Sequence, residues 1–220
     1  RKYLQQLWYA PLLVISMGIM FARIIVMAHF LPTQEFGAYS AGLLVSNAFS
    51  MLVSLGFYLL LQREMPKMIV RNRLLSAKIL LVQCAQLTCL VFVISTFTVL
   101  ATDFEMAGLS VEITLVGFVH GLTQQLFLIV TSESRSCGQS DRYAKQNFIR
   151  GVVVLGFGVM VCYGTVSPLY TLLSESVSTI LIVLSIFYKL INKGPHKISV
   201  IFSIAIKRFR YLHWKSAFVL

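Results

Sequence analysis

Long apolar runs dominate the chain, and short segments between them hold nearly all of its charge. A helix needs about 20 mostly apolar residues to cross a hydrocarbon core of about 30 Å. Six stretches reach that length. The first runs from about Trp8 to Phe30 and contains one charge, Arg23, and the second runs from Phe36 to about Leu61 with none. The third covers Ile79 to Thr102, and the fourth runs from about Ile113 to Ser132. Between Gly151 and Tyr188 only Glu175 interrupts the apolar character, and that distance is too long for one crossing. Gly164-Thr165-Val166-Ser167-Pro168 supplies the break, because Pro cannot continue a helix and Gly and Ser favour turns. The fifth and sixth spans are therefore predicted at about 148–164 and 168–188. The pattern predicts an all-α, polytopic membrane helix bundle.

Charge in the connecting segments sets the orientation, since Lys and Arg accumulate in short cytoplasmic loops. The N-terminus carries Arg1 and Lys2, and the segment after the second span carries Arg63, Lys67, Arg71, Arg73 and Lys78. Arg135, Arg142, Lys145 and Arg150 follow the fourth span. Lys189, Lys193, Lys197, Lys207, Arg208, Arg210 and Lys215 follow the sixth. The other three connections have no Lys or Arg and carry Glu35, Asp103, Glu105 and Glu112. All but one of the 19 basic residues fall on one side, which places both termini in the cytoplasm. Arg23 is the exception.

Composition narrows the class. Hydrophobic residues make up 57% and charged residues 12%, with a mean hydropathy of +0.80; a soluble domain carries about 25% charged residues. A soluble enzyme, a secreted disulfide scaffold and a disordered tail are excluded. The net charge of +11 does not indicate nucleic acid, because the cations are spread over short loops rather than gathered on a water-exposed domain. Cys84, Cys89, Cys137 and Cys162 show no metal-ligand spacing, and three lie in apolar segments where a thiol acts as a small hydrophobe. No cofactor, metal or disulfide is expected. Residues 1–190 form the six-helix lobe, and residues 191–213 a basic cytoplasmic linker. In that linker Ile198, Ile201, Phe202 and Ala205 recur at helical spacing before Lys207, Arg208 and Arg210. This fits an amphipathic helix on anionic headgroups or a solvated linker. Residues 214–220 turn apolar again, as a truncated seventh span would begin, and the chain is expected to be an excerpt of a longer protein.

At the end of the first span the sequence reads Ala28-His29-Phe30-Leu31-Pro32-Thr33-Gln34-Glu35-Phe36-Gly37-Ala38-Tyr39-Ser40. Gly56 and then Leu61-Gln62-Arg63-Glu64 close the second apolar stretch, and Ser134-Arg135-Ser136-Cys137-Gly138-Gln139 follows the fourth. These segments resemble the Wzx-type polysaccharide and O-antigen flippases of the multidrug/oligosaccharidyl-lipid/polysaccharide exporter superfamily. The likeness covers the whole chain in topology and about the first 65 residues in motif. His29 stands where that family usually has Arg, and six spans are half or less of its helices, so the chain would be one lobe of a two-lobed transporter. The resemblance implies alternating access in a bacterial inner membrane and a lipid-pyrophosphate-linked oligosaccharide as cargo. It also implies polysaccharide polymerase and chain-length proteins as neighbours.

Polar residues inside the spans are the candidate site. Arg23 lies seven residues from the outer end of its span, about 10 Å at 1.5 Å per residue, too deep for easy snorkelling. Its guanidinium either faces a cavity and receives a pyrophosphate, or pairs with a carboxylate such as Glu175. Glu175 lies about two turns into the sixth span, where it either exchanges a proton as a cavity opens and closes or holds two helices together. His120 and Gln124 share a face of the fourth span at i and i+4, and either bind sugar hydroxyls or pack. His29 joins Arg23, His120 and Gln124 as a candidate substrate-binding residue through the resemblance. Gly42, Gly56, Gly117, Gly121, Gly156 and Gly158 are expected to let helices approach closely.

The chain contains no P-loop, no nucleophile elbow and no Asp-rich metal motif, so a transporter is expected rather than an enzyme. An integral-membrane glycosyltransferase or polymerase and a multidrug exporter are the other classes. An intramembrane Arg disfavours cationic drugs.

Overall fold

The computed structural model describes residues 9–54, 56–102, 109–192 and 198–208. Among the described residues the chain forms eight helices and no strand. They are α1 (Tyr9–Phe30), α2 (Thr33–Val53), α3 (Phe57–Val70), α4 (Leu74–Thr102), α5 (Val111–Ser136), α6 (Ser140–Thr165), α7 (Pro168–Asn192) and α8 (Ile198–Arg208). All except α3 and α8 are long and apolar enough to cross a membrane, giving the six expected spans. The protein is a polytopic helical bundle, and its six apolar helices mark it as a multi-pass membrane protein.

Three boundaries differ from the sequence pattern. The apolar stretch from Phe36 to Leu61 is two helices, because Gly56 takes a left-handed φ of 74° and breaks the ladder after Val53. The chain turns there, with the Phe57 amide donating to the Ser54 carbonyl. The following α3 is amphipathic. Phe57, Leu60, Leu61 and Met65 are buried against α4 and α5, while the exposed Arg63 and Lys67 share the half-buried Glu64 at 2.9 Å each. Its 14 residues span about 21 Å, too short to cross. The second difference is at α6, which starts eight residues before position 148 and carries Arg142, Lys145 and Arg150 on a helix rather than in a loop. The loop shrinks to Cys137–Gln139, where Gly138 adopts φ 67°. The third is α8: Ile201 and Ala205 are fully buried, and the carbonyl of Ala205 accepts from Gln83 Nε2 at 3.1 Å. Its apolar stripe therefore packs on α4 rather than facing headgroups. Arg210 and residues 214–220 lie outside the described residues. The expected break between the last two spans is present, with α6 ending at Thr165 and α7 opening on Pro168.

Most of the main pairings join helices that are not neighbours in sequence. α1 packs on α6, α6 on α7, α7 on α5 and α5 on α2, whereas α1 and α2 scarcely touch. Two of these pairs, α2–α5 and α1–α6, run parallel. Gly117 of α5 lies beside Gly42 and Val45 of α2, and Gly121 lies beside Ser46 and Phe49, so residue numbers rise together. Likewise Gly151 and Gly158 of α6 lie beside Ile19 and Met27 of α1. Helices that cross in the same direction must be separated by an even number of crossings, and both pairs satisfy this with six spans. The basic segments also meet at one end, where Arg135 Nη1 donates to the Tyr58 hydroxyl at 3.0 Å and Lys78 Nζ to the Ile191 carbonyl at 3.2 Å.

Close approach explains four of the six glycines singled out. A Cβ on Gly121 would lie 2.6 Å from the Ser46 carbonyl oxygen, one on Gly42 2.6 Å from Leu172, and ones on Gly117 and Gly158 2.9 Å from Val45 and Met27. Gly156 faces open space and Gly56 is a turn. Gly121→Ala should therefore destabilise the protein by about 1–3 kcal/mol, while Gly156→Ala should not. Thermal unfolding of the two variants in detergent, read by tryptophan fluorescence, checks this. Cysteine labelling at Arg71 and Gln139 should report cytoplasm, and at Ser167 the opposite side. A cytoplasmic signal at Ser167 would remove the α6–α7 break.

Candidate functional site

Depth brings the two intramembrane charges together. Arg23 lies seven residues from the outer end of α1, and Glu175 seven residues from the outer end of α7. At 1.5 Å per residue both sit about 10 Å inside the bundle. Arg23 Nη1 donates to Glu175 Oε2 at 3.1 Å, with Arg23 only 6% exposed and Glu175 fully buried. Of the two readings of Arg23, the ion pair with Glu175 is formed.

The second carboxylate oxygen is held from α2, where the buried Tyr39 hydroxyl donates to Glu175 Oε1 at 2.8 Å. Gly158 of α6 leaves room for this carboxylate, since a Cβ there would lie 3.2 Å from Oε1. One glutamate thus binds α1, α2 and α7 together against a bare stretch of α6. Toward the outer end, Met27, Leu31, Tyr39, Leu43, Cys162 and Leu172 form an apolar cluster. It shields the pair from water on that side.

His120 of α5 approaches from the remaining direction. Its Nδ1 is 3.1 Å from Ser176 Oγ, and that hydroxyl donates its one proton to the Leu172 carbonyl at 2.7 Å. Ser176 must then accept, which puts the histidine proton on Nδ1 and leaves Nε2 with a lone pair. Nε2 lies 4.0 Å from Glu175 Oε2 and has no hydrogen-bond partner. Two acceptors face each other across a gap that a single proton would close. A proton received on Nε2 can pass to the carboxylate with a small movement of either side chain.

A second buried cation was not legible as such in the loop-charge pattern. Arg150 lies ten residues into α6 and is 9% exposed, with its guanidinium carbon 4.5 Å from the centre of the Phe127 ring. That stacking partly replaces water around the charge. Arg150 Nε has no hydrogen-bond partner, and no carboxylate pairs with it among the described residues. The membrane-buried centre therefore holds two guanidinium groups against one carboxylate. Correcting the sequence reading, Arg150 joins Arg23 as an intramembrane cation instead of counting among the loop charges. Tyr39 was also missed, since a tyrosine in an apolar helix gives no sequence signal distinct from packing.

His29 and Gln124 are not gathered into this centre. His29 is exposed at the outer end of α1, with its ring edge on Phe30 at 5.7 Å between centroids. Gln124 is half-buried one turn below His120 and makes no hydrogen bond to the described residues, while the adjacent Gln125 is buried with Nε2 unpartnered. Among the described residues no cluster of His, Cys, Asp or Glu has the spacing to hold a metal. Comparison with family models, with curated proteins and with solved structures gives no match.

Removing the α2 donor isolates its part in the centre. Tyr39→Phe leaves a buried carboxylate short of one hydrogen bond and should cost about 1–3 kcal/mol of stability. In a Glu175→Gln background the same change should cost less, because the amide carries no charge. Denaturant unfolding of the four proteins in one detergent measures that difference, and equal costs in both backgrounds would dissociate Tyr39 from the charge on Glu175.

Proposed function

We propose that this chain is one six-helix lobe of a flippase that moves a lipid-pyrophosphate-linked oligosaccharide across a bacterial inner membrane by alternating access. The observation that carries the reading is the buried centre, in which Arg23 is neutralised by Glu175 and Arg150 has no counter-ion. Such groups are expensive in a bilayer and belong to transport pathways more than to inert packing. The motif likeness around residues 28–40 supplies the cargo class.

The geometry supports a specific exchange. With Glu175 ionised, Arg23 is occupied and α1, α2 and α7 are held together. A proton arriving at His120 Nε2 and passing to Oε2 neutralises Glu175, which weakens its hold on Arg23. The freed guanidinium then offers a planar fork of donors to pyrophosphate oxygens. Proton loss from Glu175 restores the ion pair and expels the anion. Cargo and proton thus compete through one arginine. A second lobe would close the other wall of the pathway, and polysaccharide polymerase and chain-length proteins would act on the delivered oligosaccharide. A multidrug exporter is disfavoured by the excess of guanidinium over carboxylate, which repels drug cations.

The test is flipping of a lipid-pyrophosphate oligosaccharide by the full-length protein in liposomes. Arg23→Ala should insert normally and lose at least tenfold in rate, and Arg23→Lys should recover part, because Lys keeps the charge without the fork. Glu175→Gln should keep basal flipping and lose its dependence on a pH gradient. An unchanged rate in Arg23→Ala would overturn the anion-receptor reading. Retained gradient dependence in Glu175→Gln would reduce Glu175 to a helix fastener.

A further inference from the structure

A groove of about 360 Å³ opens between α6 and α7, away from the Arg23–Glu175 pair. Its cytoplasmic mouth is formed by Arg142, Lys145 and Lys189. Its walls are mostly apolar, with Val153, Leu181 and Ile186 among them, interrupted by Ser178 and Ser185. From Arg142 to Val153 it runs eleven residues along α6, about 16 Å at 1.5 Å per residue, which is about half the thickness of a hydrocarbon core. The groove therefore has the length of one leaflet, and its charged end lies at the cytoplasmic surface.

Two features of this groove are incomplete without an occupant. Arg142 donates to Glu133 at 3.0 Å and Lys145 to Asp141 at 2.8 Å, but the exposed Lys189 has no carboxylate partner among the described residues. Three cations against two carboxylates leave a surplus of one positive charge at the mouth. Just inside, Gln146 lines the groove and is 9% exposed, and its Oε1 has no hydrogen-bond partner. A buried amide oxygen without a donor costs about 1–3 kcal/mol. An anion and a hydroxyl donor side by side at the mouth, with an apolar tail along the walls, would complement these groups.

We infer that the α6–α7 groove binds a cytoplasmic-leaflet phospholipid with a net negative, hydroxyl-bearing headgroup, of the phosphatidylglycerol type. Its phosphate meets Lys189, a glycerol hydroxyl donates to Gln146 Oε1, and one acyl chain lies against the apolar walls. Phosphatidylethanolamine has donors but no net charge to match the surplus, and phosphatidylmethanol has the charge but no headgroup hydroxyl. The inference stands on the groove and does not rest on the transported cargo.

The experiment is native mass spectrometry of the full-length protein released from nanodiscs. One set contains equal parts phosphatidylglycerol and phosphatidylethanolamine, and a second equal parts phosphatidylglycerol and phosphatidylmethanol. Phosphatidylglycerol should be retained about tenfold over phosphatidylethanolamine, as expected for one charge-assisted hydrogen bond. Lys189→Gln, on an exposed position that does not threaten folding, should erase most of that preference. Gln146→Leu should leave the preference over phosphatidylethanolamine largely in place and erase the preference over phosphatidylmethanol. Equal retention of all three lipids, or preferences unchanged in both variants, would overturn the inference. So would displacement of phosphatidylglycerol by a lipid-pyrophosphate oligosaccharide in a manner lost in the same variants, which would make the groove a cargo site.

Discussion

A carboxylate and a guanidinium cannot remain separately charged in a low-dielectric bundle without a heavy desolvation cost, so the Arg23–Glu175 pair constrains everything near it. The two residues must be at the same depth, which fixes the vertical register of α1 against α7. Tyr39 extends that register to α2, and the missing side chain at Gly158 lets α6 close over the carboxylate. A bond that depends on the charge of one glutamate is also a bond that a proton can loosen. The same contact that assembles the bundle is thereby suited to release it.

Packing around the pair is built from small residues rather than from hydrophobic force. Lipid tails are as apolar as leucine, so helices gain by close approach: Gly117 and Gly121 bring α5 into backbone-level contact with α2, and Gly42 of α2 receives the Leu172 side chain of α7. These parallel pairings place His120 and Ser176 at similar depth beside Glu175. The hydroxyl of Ser176 donates along its own helix and so dictates the histidine tautomer. By contrast α1 leaves Val14, Met17, Phe21 and Ile25 exposed along its length, an apolar surface suited to lipid.

Much of the architecture was legible because bilayer length and loop charge are strong, local signals. The six spans, their alternation and the break before Pro168 all follow from them. Gly56 was less legible, because an apolar stretch looks continuous whether or not one residue adopts a positive φ. Arg150 was counted as a loop charge since it precedes the apolar run, yet α6 begins ten residues earlier and carries it inside. In the centre, Arg23, Glu175 and His120 were visible as polar residues in apolar helices. Their mutual pairing was not, because it depends on which helices meet. Tyr39 and Ser176 carry no distinctive sequence signal, and His29 and Gln124 lie away from the pair for reasons of helix face and depth.

The account turns on the charge state of Glu175: ionised and bound to Arg23 at rest, protonated when an anion takes Arg23. Isotope-edited infrared difference spectroscopy of the full-length protein, with and without a lipid-pyrophosphate oligosaccharide, reads this state directly. Cargo should produce a protonated-carboxyl band and a matching loss of carboxylate absorption, both missing in Glu175→Gln. A spectrum in which cargo binds while the Glu175 carboxylate signal stays unchanged would contradict the exchange and leave the ion pair as a permanent fastener of the bundle.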